Sequence, residues 1–148
     1  MSDRSGRPVL TDGPLPSPRP DGVDQPYWAA AREERLAVQR CDDCGRRQFP
    51  PESFCRHCRS ITSSWVDVEP AGTLFSWARV WHPLTPSQAG DVPFVICVVD
   101  VLPGEVRVLG NLVDPPEGDL PIGAPVRAVF EHHDEVTLVQ WELAPDRA

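Results

Sequence analysis

From Gly72 onward, short apolar stretches alternate with polar positions and are separated by turn residues, which is the pattern of β-strands. Proline and glycine are densest in the breaks at 83–93, 103–104 and 114–125. Short strands with connections of these lengths and little helix are typical of an OB-type barrel. The predicted strands are Thr73–Trp81, Phe94–Leu102, Val106–Val113, Val126–Glu131 and Val136–Leu143.

Three features of the predicted barrel suggest how it is built. Phe94–Val99 is apolar at every position, which predicts a central strand buried on both faces. Gly110 lies inside the third strand, where glycine typically marks a bulge or coil that lets a small barrel close. Cys97 has no histidine or cationic residue beside it, so we expect a small core residue and not a catalytic thiol.

The predicted elements divide the chain into four segments. The first contains five prolines and no periodic apolar pattern, so we expect a disordered arm. A short helix, a cysteine-rich ribbon and the barrel follow it. The boundaries are 1–24 for the arm, 25–35 for the helix, 36–68 for the ribbon and 69–148 for the barrel.

The short helix carries two adjacent aromatic residues. It is predicted to begin at Asp24, whose carboxylate can cap the free amides of the first turn, with Pro26 placed where no hydrogen bond is lost. Tyr27, Trp28 and Ala31 form one apolar face. Aromatic side chains on so short a helix pack either against this chain's own barrel or against a partner, and the sequence leaves both open.

Two Cys-x-x-Cys pairs follow within eighteen residues, between the predicted strands Leu36–Arg40 and Trp65–Val68. Each pair can bend the backbone into a knuckle that directs two thiolates at one point. The residues between the pairs are enough for a hairpin that brings the knuckles together, and four thiolates suit a closed, structural Zn²⁺ site. His57 lies inside the second knuckle and is expected to be a loop residue, not a ligand. The predicted metal ligands are Cys41, Cys44, Cys55 and Cys58.

A zinc site has two alternatives at these four cysteines, which are a pair of disulfides and an iron site. No apolar run approaches the ~20 residues that span a bilayer, and the N-terminus has no signal-peptide pattern, so we expect a soluble, cytoplasmic protein. A reducing compartment argues against a disulfide framework. An iron site of the rubredoxin type uses the same four ligands; its knuckles usually lie further apart in sequence, which favours zinc without excluding iron.

Charge is distributed unevenly along the 148 residues. Residues 1–60 contain ten arginines and nine acidic residues, a net of +1, and residues 61–148 contain four arginines and thirteen acidic residues, a net of −9, which together give the −8 of the chain. Ribbon-and-barrel proteins often bind nucleic acid, but that binding depends on cationic side chains. The acidic barrel therefore disfavours a nucleic-acid partner.

No catalytic set is recognisable in the sequence. His132 and His133 lie in a polar stretch that predicts a hairpin turn, and adjacent strand residues point to opposite faces, so their imidazoles cannot converge. Neither a nucleophile elbow nor a phosphate-binding glycine loop nor a His-Glu-x-x-His motif is present. His82 opens the Pro83–Pro93 loop, which is longer than a simple hairpin needs and either covers a partner or ligand or is an idle surface loop.

This order of elements resembles the zinc-ribbon/OB-fold family of acyl-CoA-associated proteins known as domain of unknown function 35. The resemblance covers roughly residues 24–144. The ribbon alone is weakly specific; the ribbon with Phe-Pro-Pro and the following barrel is quite specific. Arg59 stands where the family often has glycine, which affects the fine geometry of the knuckle. The matching segments are Tyr27-Trp28, Gln39–Gly45, Gln48–Pro51, Cys55–Ser60, Gly72–Ser76 and Ile122–Val126.

The resemblance implies a non-catalytic accessory subunit of a thiolase-like enzyme, such as a thiolase, an acyltransferase or a retro-aldolase of steroid side-chain degradation. The partner supplies the catalytic residues, and this family helps to form or shield an acyl-CoA site. For the interface with the partner we predict Tyr27, Trp28 and His82 with its loop. The acidic barrel is poorly suited to bind the phosphates of acyl-CoA, so any contact with them is expected to involve the arginines around the ribbon, which are Arg32, Arg35, Arg40, Arg46, Arg47, Arg56 and Arg59.

Two functions of different classes therefore compete. The first is the accessory subunit, active in lipid or steroid breakdown, with structural zinc and an acyl-CoA bound jointly with the partner. The second is a stand-alone acyl-CoA or lipid-binding module, which predicts acyl-CoA affinity in the absence of any partner.

Overall fold

The N-terminal part of the described chain is a short helix closed by a turn. The computed structural model describes residues 17–145, so most of the predicted arm lies outside the described residues. Helix α1 spans Gln25–Arg32, and the predicted segment 25–35 also contains the turn that ends it. Asp24 is at the N-cap, but the predicted side-chain cap is wrong: its Oδ2 accepts a hydrogen bond of 2.9 Å from Trp28 Nε1.

A three-stranded antiparallel sheet forms the ribbon. Strand β1 (Leu36–Cys41) lies in the centre, between β2 (Arg47–Gln48) and β3 (Ser63–Val68). Gln39 faces Gln48 on one side and Trp65 on the other. The first knuckle follows β1 directly, and the second lies in the connection between β2 and β3.

Five strands close into the predicted barrel. They are β4 (Ala71–Val80), β5 (Phe94–Leu102), β6 (Val106–Leu112), β7 (Pro125–His132) and β8 (Thr137–Leu143). Their order is β4-β5-β6-β8-β7, with β6 and β8 parallel and every other neighbouring pair antiparallel. A short 3-10 helix, Pro86–Gln88, lies in the connection between β4 and β5.

The ribbon and the barrel share one hydrophobic core. Tyr27 and Ala31 of α1 and Leu36 and Val38 of β1 belong to the same buried cluster as the inward-facing residues of the barrel. Trp141 is the largest fully buried side chain. The barrel residues of the cluster are Leu74, Val95, Cys97, Val99, Val101, Val106, Val108, Leu112, Leu120, Val126, Val139 and Trp141.

Gly110 has a different role from the predicted one. It pairs in register with Cys97, and the irregularities of the barrel lie elsewhere, at Leu74/Ser76 and at Asp100/Leu102. A Cβ at position 110 would lie 2.8 Å from Trp141 Cδ1 and 2.8 Å from the carbonyl oxygen of Val139. Glycine is therefore required because the Trp141 ring packs directly on the backbone of β6.

The expectation that β5 is buried on both faces is wrong. Val95, Cys97 and Val99 point into the core, but Ile96 on the outer face is 37% exposed. The outer face of the barrel is open at this strand within the described residues, so an unbroken apolar sequence did not mean two covered faces.

Candidate functional site

The four predicted metal ligands converge. Each offers one sulfur, and all four Sγ atoms lie within 4.8 Å of one another. Cys41 and Cys58 are 3.5 Å apart, and Cys44 and Cys55 are 3.7 Å apart. A tetrahedral zinc with bonds of about 2.3 Å places its sulfurs about 3.8 Å apart. The sulfur positions therefore fit a tetrahedral thiolate site.

The two knuckles have the same backbone geometry. Gly45 N–H donates to the carbonyl of Cys41 at 3.0 Å, and Arg59 N–H donates to that of Cys55 at 2.9 Å. Both residues have positive φ, 75° at Gly45 and 69° at Arg59. Arginine thus adopts the left-handed conformation that glycine adopts in the first knuckle, at a steric cost of about 1–2 kcal/mol.

Backbone amides lower the thiol pKa at Cys41 and Cys55, whereas at Cys44 and Cys58 the backbone N–H groups are outweighed by burial and by hydrogen bonds among the four sulfurs, which raise the pKa. The amide of Cys44 lies 3.5 Å from Cys41 Sγ, and the amide of His57 lies 3.4 Å from Cys55 Sγ. The N–H of Cys58, against the opposing effect of burial, lowers the pKa of the Cys55 thiol to about 6. A thiolate is the form that binds a metal.

Two buried glutamines hold the second knuckle in place, and the sequence analysis missed them. Gln48 Nε2 donates to Gln39 Oε1 at 2.7 Å and to the carbonyl of Phe54 at 3.0 Å, while Gln48 Oε1 accepts from the amide of Arg56 at 3.0 Å. Gln39 bonds both backbone groups of Glu52, its Nε2 donating to the carbonyl at 2.8 Å and its Oε1 accepting from the amide at 3.0 Å. Glutamine at an inward strand position was the available signal.

The knuckle histidine is not part of the sulfur cluster. His57 is exposed, and its Nδ1 lies 3.1 Å from Arg46 Nη1. The close group of potential metal ligands found in residues 17–145 consists of the four cysteines alone.

The aromatic residues of α1 have different environments. Tyr27 is 6% exposed and packs on Phe49, with ring centroids 5.1 Å apart. Its side chain lies inside this chain, which contradicts its assignment to a partner interface. Trp28 is half-buried and lines an apolar groove of about 600 Å³ together with Val23 and the Pro50-Pro51 pair.

His82 lies far from Trp28. The loop that it opens follows β4, and the end of β4 pairs with the start of β5, Val80 with Phe94. The ribbon contacts the opposite end of β5, since Arg47 forms an ion pair with Glu105 in the hairpin after that strand. Over a nine-residue strand these ends are roughly 26 Å apart. His82 and Leu84 are exposed there.

One cluster resembles a catalytic triad without being able to serve as one. His132 Nδ1 lies 3.0 Å from Thr137 Oγ1, and its Nε2 lies 3.1 Å from Glu34 Oε1. Thr137 is only 2% exposed, so a substrate cannot reach its hydroxyl. His133 bonds Glu131 instead, at 2.7 Å.

Known proteins with this ribbon and barrel place the chain in a family. A family model described as the rubredoxin-like zinc ribbon domain of ChsH2 matches residues 28–61, and one described as its C-terminal OB-fold domain matches residues 65–131. A DUF35 domain-containing scaffold protein from Methanocaldococcus jannaschii is 30% identical over 110 residues, 73% of this chain and 77% of that protein. The chain belongs to the DUF35 family. The resemblance read from its sequence is confirmed.

Two longer relatives match this chain over about a third of their own length. A probable enoyl-CoA hydratase alpha subunit from Thermomonospora curvata is 37% identical over 74% of this chain and 34% of its own length. The 3-oxo-4,17-pregnadiene-20-carboxyl-CoA hydratase alpha subunit from Mycobacterium tuberculosis is 32% identical over 78% of this chain and 36% of its own length. This chain spans about a third of each of these subunits.

Solved structures share the fold. A chain of the Ltp2-ChsH2(DUF35) aldolase is 29% identical, has a TM-score of 0.74, and matches over 86% of this chain and all of its own length. A DUF35 protein of unknown function from Sulfolobus solfataricus is 15% identical, with a TM-score of 0.60 over 84% of this chain and 87% of that one. In residues 17–145, no helix is long and apolar enough to cross a membrane.

Proposed function

We propose that this DUF35 chain is a non-catalytic accessory subunit of an acyl-CoA enzyme with a thiolase-like fold. The observation that carries the proposal is the match to the DUF35 chain of the Ltp2-ChsH2 aldolase over the whole length of that chain. The relatives named as CoA hydratase alpha subunits support a thioester substrate for the complex.

The chemistry of the chain supports an accessory role. The one histidine hydrogen-bonded to a hydroxyl in the described residues has a buried partner, Thr137. The sulfur cluster has four ligands, which leaves no open position for water or substrate. Catalytic groups are therefore expected on the partner enzyme.

The ribbon's metal is proposed to be a structural zinc. Cys41, Cys44, Cys55 and Cys58 would hold it, and the bound ion would supply cross-linking of the two knuckles and no reaction chemistry. Gln39, Gln48 and the left-handed residues after each knuckle position the four sulfurs. The ribbon and the barrel share one hydrophobic core, so a stable ribbon also stabilises the barrel.

Two surfaces are proposed to contact the partner. The first is the apolar groove lined by Trp28 and rimmed by Val23, and the second is the long loop that carries His82 and Leu84. Exposed apolar side chains in both support burial in an assembly. They lie at opposite ends of the barrel, roughly 26 Å apart, so a partner that covers both must span the length of the barrel.

Charge substitutions on these surfaces test the proposal. Val23→Glu puts a charge into the groove from a position that is 47% exposed, so the fold is expected to be retained. We expect binding of the partner enzyme to weaken at least about tenfold, because an unpaired charge would be buried on assembly. Leu84→Glu tests the loop in the same way, and surface plasmon resonance against the purified partner measures both.

The control is Ile61→Glu on the ribbon, an apolar position outside both surfaces that is 82% exposed, close to the 85% of Leu84. It should bind like the wild type. If Val23→Glu and Leu84→Glu both bind the partner as tightly as this control, the assigned surfaces are wrong.

A further inference from the structure

A cationic cleft lies between the ribbon and the hairpin that joins β5 to β6. Its volume is about 410 Å³, and its walls include Arg46, Arg47 and Arg56 from the ribbon and Arg107 from β6. Glu105 is the one acidic side chain in its lining. Four guanidinium groups thus converge in a chain whose net charge is −8.

Three of the four arginines keep their charge uncompensated. Arg47 forms an ion pair with Glu105 at 2.7 Å. Arg46, Arg56 and Arg107 form no ion pair with any carboxylate of residues 17–145. Arg32, Arg40, Arg59 and Arg79 form no ion pair among the described residues either, so Arg46, Arg56 and Arg107 are distinguished by lining one cleft.

Groups other than carboxylates position these three guanidinium groups. Arg46 Nη1 lies 3.1 Å from His57 Nδ1, Arg56 Nη2 donates to the carbonyl of Phe49 at 2.9 Å, and Arg107 stacks with its Cζ 3.6 Å from the centre of the Phe75 ring. A guanidinium has five N–H donors, so each contact leaves several unused. The side chains are thereby held in place with free donors and full positive charge.

We propose that this cleft binds the phosphate groups of a small ligand. Planar guanidinium groups match phosphate oxygens with paired hydrogen bonds, and charge-assisted bonds of this kind are about twice as strong as neutral ones. The volume exceeds that of one phosphate ion and falls within the range of small-molecule sites, so a diphosphate or a nucleotide-type phosphate fits. The binding site itself follows from the arginines; only coenzyme A as a probe rests on the function proposed above.

The ribbon arginines have one competing role, which is to balance the charge of the metal site. Cys55 lies in the wall of the cleft, and a zinc bound by four thiolates carries a net charge of about −2. In that role the arginines would support metal retention and bind no ligand. Arg107 belongs to the barrel and stacks on Phe75, so it allows the two roles to be separated.

Calorimetric titration of the full-length, zinc-loaded chain with sodium diphosphate tests the proposal. We expect saturable binding that weakens as salt is raised. Arg46→Gln and Arg107→Gln, on opposite sides of the cleft, should each reduce affinity about tenfold or more, since each removes charge-assisted hydrogen bonds. Arg59→Gln is the matched control: it changes the same charge in the ribbon, next to the second knuckle, outside the cleft lining.

Coenzyme A and pantetheine, run in parallel, distinguish the sources of phosphate. Binding of diphosphate and coenzyme A without binding of pantetheine supports the site and shows that coenzyme A binds through its phosphates. Binding of diphosphate alone supports a site for free phosphates. Equal affinity for pantetheine and coenzyme A overturns the proposal.

Two further results overturn it. One is the absence of binding heat for both phosphate ligands at low salt. The other is loss of zinc from the arginine variants with no change in phosphate affinity, which would assign the arginines to the metal site. The titration uses the chain alone, so its result does not depend on the proposed partner enzyme. Phosphate binding can be observed even if the accessory-subunit proposal is wrong, and can be absent even if that proposal is correct.

Discussion

Gln39 and Gln48 stabilise the metal centre without contacting it. Their side chains bond each other and the backbone of Glu52, Phe54 and Arg56, which follow the Phe-Pro-Pro segment, so the second knuckle is tied to the sheet. Such a role depends on which loop folds back over the strand. The sequence marks the glutamines as polar residues at inward strand positions but does not show that loop, so their role at the knuckle could not be predicted.

At Gly110, close packing predicts a large effect from a single methyl group. Gly110→Ala would put a Cβ 2.8 Å from the fully buried Trp141 ring and 2.8 Å from the carbonyl oxygen of Val139, so side chain and backbone would both have to shift. We expect the free energy of unfolding to fall by about 1–3 kcal/mol, as in other overpacked cores. Chemical denaturation measures the change.

Gly90→Ala is the control, because nothing lies within 4 Å of a Cβ at that position. Its stability should stay close to that of the wild type. Equal stability of the two variants would contradict the account of Trp141 packing.

Tyr27 predicts a pH dependence of stability at the alkaline end. Burial raises the pKa of Tyr27 well above its usual value of about 10. The unfolded chain ionises near pH 10 and the folded chain above it, so the folded state binds the proton more tightly. The contribution of Tyr27 to the free energy of unfolding is therefore fully present below pH 10 and is lost as the pH rises above 10.

Absorbance at 295 nm measures this directly, because the chain contains a single tyrosine. In native protein, the tyrosinate signal should appear only at the pH where the fold is lost. In urea, it should titrate near pH 10. A native titration near pH 10 would mean that Tyr27 is accessible and that α1 does not pack as described.

At the scale of elements, alternation of apolar and polar residues located most of the fold. The five barrel strands and the ribbon strands β1 and β3 lie where the pattern placed them, to within about two residues at most ends. β2 has only two residues and leaves no periodic signal. Long-range contacts decided the rest: the Trp141 ring sets the role of Gly110, and an open outer face leaves Ile96 exposed.

The ribbon predicts a specific consequence of losing one ligand. Cys44 is exposed, so Cys44→Ser removes a thiolate with little loss of packing. We expect zinc affinity to fall more than about 100-fold, since even groups that only support a ligand contribute 10–100-fold. Because ribbon and barrel share one core, the melting temperature of the whole chain should fall as well. Competition with a chromogenic chelator and thermal unfolding measure the two effects.

Cys97→Ser is the matched control. Burial raises the pKa of the Cys97 thiol to about 12, so this cysteine is a core residue and carries no thiolate at neutral pH. Its substitution should leave the zinc content unchanged. A Cys44→Ser chain that keeps wild-type zinc affinity and melting temperature would contradict a structural metal.

At the scale of the whole molecule, the acidic barrel, the cationic cleft and the two exposed apolar surfaces lie in different regions of the chain. The barrel half is strongly acidic, while the ribbon supplies most of the arginines of the cationic cleft. The apolar groove and the long loop lie at opposite ends of the barrel. The sequence predicted the arginines and the aromatic residues as groups, but only folding separates Tyr27, which is internal, from Trp28, which lines the groove.

The central claim is that this DUF35 chain works in a stable complex with an acyl-CoA enzyme. Native mass spectrometry of the complex purified with the tagged chain from its own host, at low salt, tests that claim most directly. We expect a thiolase-like subunit in whole-number stoichiometry, and acyl-CoA turnover that requires that subunit. Recovery of the chain alone would contradict the claim, as would turnover by the isolated chain.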